Sequence, residues 1–154
     1  MELEQLAYEE AKRAIDRQSS SLDGLRGRAG ILLAAISLST SFFGGLALGE
    51  DDLSRWAIAV AVLAIVSFVV AAGACVAVLW PRAEWAFNLS AKRIIRQLDE
   101  TRPDEATAHR ELALRLEVNH RANETRLEVL FRLFRTACVA LAIETLAWLV
   151  LLAL

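Results

Sequence analysis

Three uninterrupted apolar stretches constrain this chain more than any other feature. They run from Ala29 to Leu48, from Trp56 to Trp80, and from Thr136 to Leu154; the first two carry no charge and the third carries one acid, Glu144. A helix needs about 20 apolar residues to cross a hydrocarbon core of ~30 Å, so each stretch is long enough for one span. The second, 25 residues, would be about 36 Å long and should tilt or bend. Pro81 follows it at once and cannot continue a helix without a kink. The stretch 29–48 is a poor signal peptide: 28 residues of periodic helix precede it and its apolar run exceeds the usual ~7–15. It is read as a permanent span.

The remaining composition fits this division. Hydrophobic residues make up 56 % and charged residues 23 % of the chain, so apolar and polar character are segregated along its length. Seven glycines and two prolines leave little turn material for an all-β fold. A net charge of −2 gives no push toward nucleic acid. Cys75 and Cys138 both lie in apolar runs, which rules out a disulfide framework and offers no metal spacing.

Lysine and arginine placement predicts orientation. Five precede Ala29, one lies in the acidic loop 49–55, and eleven lie between Pro81 and Arg135. The expected organisation is an all-α protein with a cytoplasmic N-terminal helix over 1–28 and spans over 29–48, 56–80 and 136–154. An external acidic loop over 49–55 and a cytoplasmic helical hairpin over 81–135 complete it, in a multi-pass inner-membrane chain with its C-terminus outside. Trp56, Trp80 and Trp148 fall near the predicted interfaces, as aromatic belts do.

The polar segments have helical periods of their own. Tyr8, Ala11, Ile15, Gln18, Leu22, Leu25 and Ala29 follow alternating spacings of three and four, a heptad seam with one polar member. Gly24, Gly27 and Gly30 share another face, read as close packing of neighbouring backbones in preference to a hinge. The hairpin divides at Pro103: Trp85, Leu89, Ile95 and Leu98 mark an apolar stripe before it, and Asp104 and Glu105 start an acidic helix after it. From there one helix can run unbroken to Leu154. Leu112, Leu116, Asn119 and Asn123 continue a seam along it, where the two Asn either are buried and fix register or oligomer state or form an exposed pair. Glu111–Arg115, Glu117–Arg121 and Glu128–Arg132 are favourable i,i+4 pairs that neutralise much of the basic row. Two amphipathic seams on so little protein point to a symmetric homo-oligomer, with a tetramer as the favoured number.

Glu144 carries most of the chemical interest. It lies nine residues past Arg135 and ten before Leu154, which puts it about 13–15 Å from either end of the span, near the bilayer midplane. An acid there costs a few kcal/mol even on lenient scales, so it must face protein or water. Ala137, Ala140 and Ala147 share its face. The first span offers Ser37, Thr40, Ser41, Gly44 and Gly45, with Ser37-x3-Ser41-x3-Gly45 a small-residue packing ridge; the second offers Ala57, Ala61, Ala64, Ser67, Ala71 and Cys75. Three readings of Glu144 stand open. It is a neutral acid hydrogen-bonded to a Ser or Thr of a neighbouring span, a member of a symmetry-generated carboxylate ring that attracts cations, or a proton-coupled transport site.

Catalysis finds no support. His109 and His120 are eleven residues apart, ~16 Å along a helix, so they cannot share a metal within one chain. No nucleophile-elbow, zincin, P-loop or dinucleotide motif occurs, and no metal or cofactor is expected. Arg26, Arg28, Lys92, Arg93, Arg96, Arg132 and Arg135 sit near predicted span ends. They are expected to meet anionic lipid headgroups, with a phosphate pocket for a nucleotide or oligonucleotide as the alternative.

From Ile15 the chain reads I-D-R-Q-x6-L-R-G-R-A-G-I-L-L, ending at Leu33 inside the first span, and a second span follows a short acidic loop. This layout, over about Ala11 to Leu98, resembles the SLATT family of bacterial membrane effectors; the third span departs from its simplest two-span pattern. The resemblance implies a role in anti-phage or conflict systems, where a nucleotide-type signal opens a membrane pore. The expectation is therefore a gated pore or ion channel worked through its cytoplasmic helices. The alternative is a non-conducting adaptor that shows those helices to a cognate soluble regulator.

Overall fold

The computed structural model describes residues 3–47, 54–81, 85 and 104–153. It contains three helices: α1 (Leu3–Ala47), α2 (Arg55–Leu79) and α3 (Glu105–Ala153). The described residues include no strand. All three helices contain windows apolar enough to cross a membrane, with mean hydropathies of 1.7, 2.8 and 2.1. Only 11 %, 28 % and 33 % of those windows is buried within the chain. In water such exposed apolar surface would drive aggregation; against acyl chains it is simply solvated. The chain is a multi-pass membrane protein.

Local chemistry sets the helix ends. The Ser54 hydroxyl accepts from the backbone N–H of Ala57 at 3.2 Å, capping α2. At the other end Trp80 is extended, with φ −57° and ψ 124°, as a residue before proline must be. Asp104 O accepts from Ala108 N at 3.0 Å, and Glu105 places an acid in the first turn of α3. The stripe Trp85, Leu89, Ile95 and Leu98 and the loop 49–53 lie, apart from Trp85, outside the described residues.

Chain contacts separate two units, 1–23 with 82–128 and 24–81 with 129–154. The divisions after 23 and after 128 fall several residues before the span starts that hydropathy alone suggests, and the one after 81 lies next to the expected span end at Trp80. In the first unit, Tyr8 stacks on His109 with ring centroids 5.6 Å apart, and Gln18 Nε2 donates to His120 O at 2.9 Å. Both residue numbers rise together, so the two helix segments run parallel. Ile15, Gln18 and Leu22 of the first seam are buried, as are Leu116 and Asn123 of the second. The seams therefore meet within one chain. Their burial supplies no reason for a second copy, contrary to the economy argument made from the sequence.

The second unit is a three-helix bundle with two apolar clusters. One joins Ala57, Ala61 and Ala64 to Ala147, Trp148 and Leu151, flanked by Phe43. The other joins Ala71, Ala74 and Cys75 to Ile36, Ala137 and Ala140. Early α2 thus meets late α3, which makes that pair antiparallel. Alanines let the backbones approach closely, and every small residue expected on the inner face of α2 is buried. Trp148 departs from expectation. Trp56 and Trp80 are 79 % and 64 % exposed, as belt residues should be, but Trp148 is 1 % exposed. Its ring fills the space over Gly44, where an added Cβ would lie 3.5 Å from the indole.

Candidate functional site

Between the two apolar clusters of the bundle lies one polar layer, with one residue from each helix. On α3, Glu144 falls midway between Ala140 and Ala147; on α2, Ser67 falls between Ala64 and Ala71; on α1, Thr40 falls between Ile36 and Phe43. Glu144 is 0 % exposed, and Ser67 is buried with it. Thr40 Oγ1 donates to Glu144 Oε1. Other hydroxyls on these helices behave differently. Ser37, Thr136 and Thr145 donate to carbonyls four residues back on their own helix, at 2.9, 3.1 and 2.9 Å. Thr40 alone among these four turns its hydroxyl across to another helix.

The layer is incompletely satisfied. Among the described residues, Glu144 Oε2 and the Trp148 indole Nε1 are both buried without a hydrogen-bond partner, and so is Ser39 Oγ. Glu144 and Trp148 are four residues apart and share the inner face of α3. An acceptor and a donor one helical turn apart are thus left unmatched in a low-dielectric interior, where each such group costs about 1–3 kcal/mol. Packing alone gives no reason to keep a carboxyl in this position.

The other sequence candidates separate clearly. Gly44, Ala140 and Ala147 are buried packing positions, whereas Ser37, Ser41 and Gly45 face outward on α1. The ridge Ser37-x3-Ser41-x3-Gly45 is therefore not used by its own chain. Gly24, Gly27 and Gly30 have nothing within 4 Å of an added Cβ, so the close backbone packing expected of them does not occur among the described residues. Arg132 and Arg135 are exposed and line one groove with Thr136. Arg26 is half-buried with Nε unpartnered, and Arg28 is exposed; neither lines that groove. Lys92, Arg93 and Arg96 lie outside the described residues. His109 is occupied in stacking on Tyr8. No cluster of three or more His, Cys, Asp or Glu that could hold a metal occurs among the described residues.

The sequence offered Ser67 only as one of the small residues of the second span, not as a polar partner of Glu144. Its signal was present: it is the one hydroxyl between Trp56 and Trp80. No family model, no curated protein and no solved structure matches this chain.

Proposed function

We propose that this chain is one subunit of a homo-oligomeric membrane effector that forms a gated pore, and that the Thr40–Ser67–Glu144 layer locks its spans shut. The observation that carries this reading is a fully buried carboxyl at mid-span with one oxygen unpartnered. An apolar side chain of similar volume would pack there at lower cost, so retention of an ionisable group argues for a function. In the closed arrangement Thr40 and the surrounding alanines shelter the acid. Rotation of α3 would turn it toward a water-filled path, where it would attract cations.

Two further features support the reading. The unused ridge Ser37, Ser41 and Gly45 is the kind of surface through which membrane helices associate. The paired seams of α1 and α3 carry buried polar residues, Gln18 and Asn123, which suit a contact with defined alternative registers. A soluble signal, of nucleotide type on the resemblance to anti-phage effectors, would act by favouring one of those packings.

The test is planar-bilayer recording of purified protein, wild type beside Glu144→Gln. The expected outcome is gated current steps in the wild type and altered conductance or open probability in the variant, with assembly unchanged. A protein that inserts fully yet stays electrically silent under every signal tried would leave the adaptor reading in its place. That reading gains from the same burial, because a carboxyl held within its own chain can act as an interhelical staple.

A further inference from the structure

Outside the polar layer, the bundle carries a groove of about 490 Å³ lined by Val70 of α2 and by Arg132, Arg135, Thr136, Val139, Ala140 and Ile143 of α3. Its composition is graded along α3. The guanidiniums stand at one end, at the last charged residues before the apolar run, and below them the walls are aliphatic. From Arg132 to Ile143 the rise is about 16 Å at ~1.5 Å per residue, close to one leaflet's share of a ~30 Å core. Val70, Val139 and Ile143 are all more than 40 % exposed, so the trough is open along its side.

We infer that this groove is a binding site for an anionic phospholipid, with its phosphate on Arg135 and one acyl chain lying along Val70, Val139 and Ile143. Charge and shape select that occupant. A planar guanidinium at an interface pairs with phosphate through two donors, and an aliphatic trough one leaflet deep matches an acyl chain. Arg135 has no ion-pair or hydrogen-bond partner among the described residues, whereas Arg132 already has an interaction of its own, so the headgroup contact is assigned to Arg135. The Thr136 hydroxyl donates to Arg132 O at 3.1 Å, which spends its proton on the helix backbone. A water-soluble phosphate ligand would have no use for the trough. The inference rests on the chain being a membrane protein and is independent of conduction.

Native mass spectrometry of the full chain, released from phosphatidylcholine vesicles doped with phosphatidylglycerol, tests it. The wild type should retain phosphatidylglycerol in preference to phosphatidylcholine. Arg135→Gln should lower that retention by about fivefold, the effect expected for one basic residue at an anionic surface. Ile143→Trp, which fills the trough without touching any charge, should lower it as well. Arg110→Gln, an exposed basic residue outside the groove and far along α3 from the headgroup end, should leave it unchanged, and inorganic phosphate should not compete. Equal retention of the two lipids would overturn the inference. So would loss in Arg110→Gln matching that in Arg135→Gln, indifference to Ile143→Trp, or displacement by inorganic phosphate. None of these readouts depends on current, so a silent channel and an empty groove are separable results.

Discussion

The hydrogen bond from Thr40 to Glu144 makes a quantitative prediction through a double-mutant cycle. Thr40→Val keeps the shape of the side chain and removes the donor, which leaves both Glu144 oxygens unpartnered in the interior. A typical intramolecular hydrogen bond contributes about 0.5–1.5 kcal/mol net in proteins, and interhelical bonds in membranes average ~0.6 with a maximum near ~1.7. The complete burial of Glu144 places this bond at the upper end, so Thr40→Val should cost about 1.5 kcal/mol. Glu144→Leu should behave in the opposite way. It removes a buried carboxyl whose mid-span cost is at least ~2.5 kcal/mol on insertion scales, so the variant should be as stable as the wild type or more so. In the Glu144→Leu background, Thr40→Val should then cost under about 0.5 kcal/mol, for a coupling near 1 kcal/mol. The assay is reversible unfolding in mixed micelles, followed by circular dichroism. Equal cost of Thr40→Val in both backgrounds would refute the bond as an energetic contact. A Glu144→Leu variant that loses more than about 2 kcal/mol would refute the claim that the carboxyl is kept against stability.

Four further outcomes follow from individual positions. Gly44→Ala should be tolerated, because its Cβ would meet the Trp148 ring at 3.5 Å, whereas Gly44→Leu should cost about 1–3 kcal/mol by displacing the indole; thermal unfolding in micelles reads both. Gly45→Leu has open space within the chain and should leave subunit stability unchanged while lowering the oligomer's mass by native mass measurement, if the Ser37–Gly45 ridge joins subunits. Ser54→Ala should lose about 1 kcal/mol of α2 stability, seen as faster amide exchange over the first turn after Ser54. Asn123→Leu should raise the stability of the α1–α3 pairing while weakening its register, visible as mixed cross-link patterns between positions 8 and 109.

Residue pattern revealed some of these features and hid others, for physical reasons. Spans are legible because crossing a bilayer imposes a length and excludes charge, and both can be counted. Buried faces are legible because helical period places Ala57, Ala61, Ala64, Ser67, Ala71 and Cys75 on one side of α2. Partners are not legible. The seam from Tyr8 to Leu22 shows which face is buried, but a heptad is silent on whether the matching face belongs to the same chain. The pattern offered Ser37, Thr40 and Ser41 as equal partners for Glu144, and the rotation of α1 chose Thr40 by turning the two serines outward. Trp148 looked like a belt residue because it lies near the end of the apolar run. The void over Gly44 decides its place instead, and that void exists only once three helices have assembled.

The most direct measurement of the central claim, that the mid-span acid is sealed inside its own chain, is cysteine cross-linking at the polar layer. Thr40→Cys and Glu144→Cys would be introduced together, with Cys138→Ser to remove the exposed native thiol, and oxidised in native membranes. The account predicts a bridge within one chain, with monomer mobility retained, and no dimer from Glu144→Cys alone. A dimer formed through position 144 by the single variant would show that these side chains face one another across a subunit axis, and would contradict it.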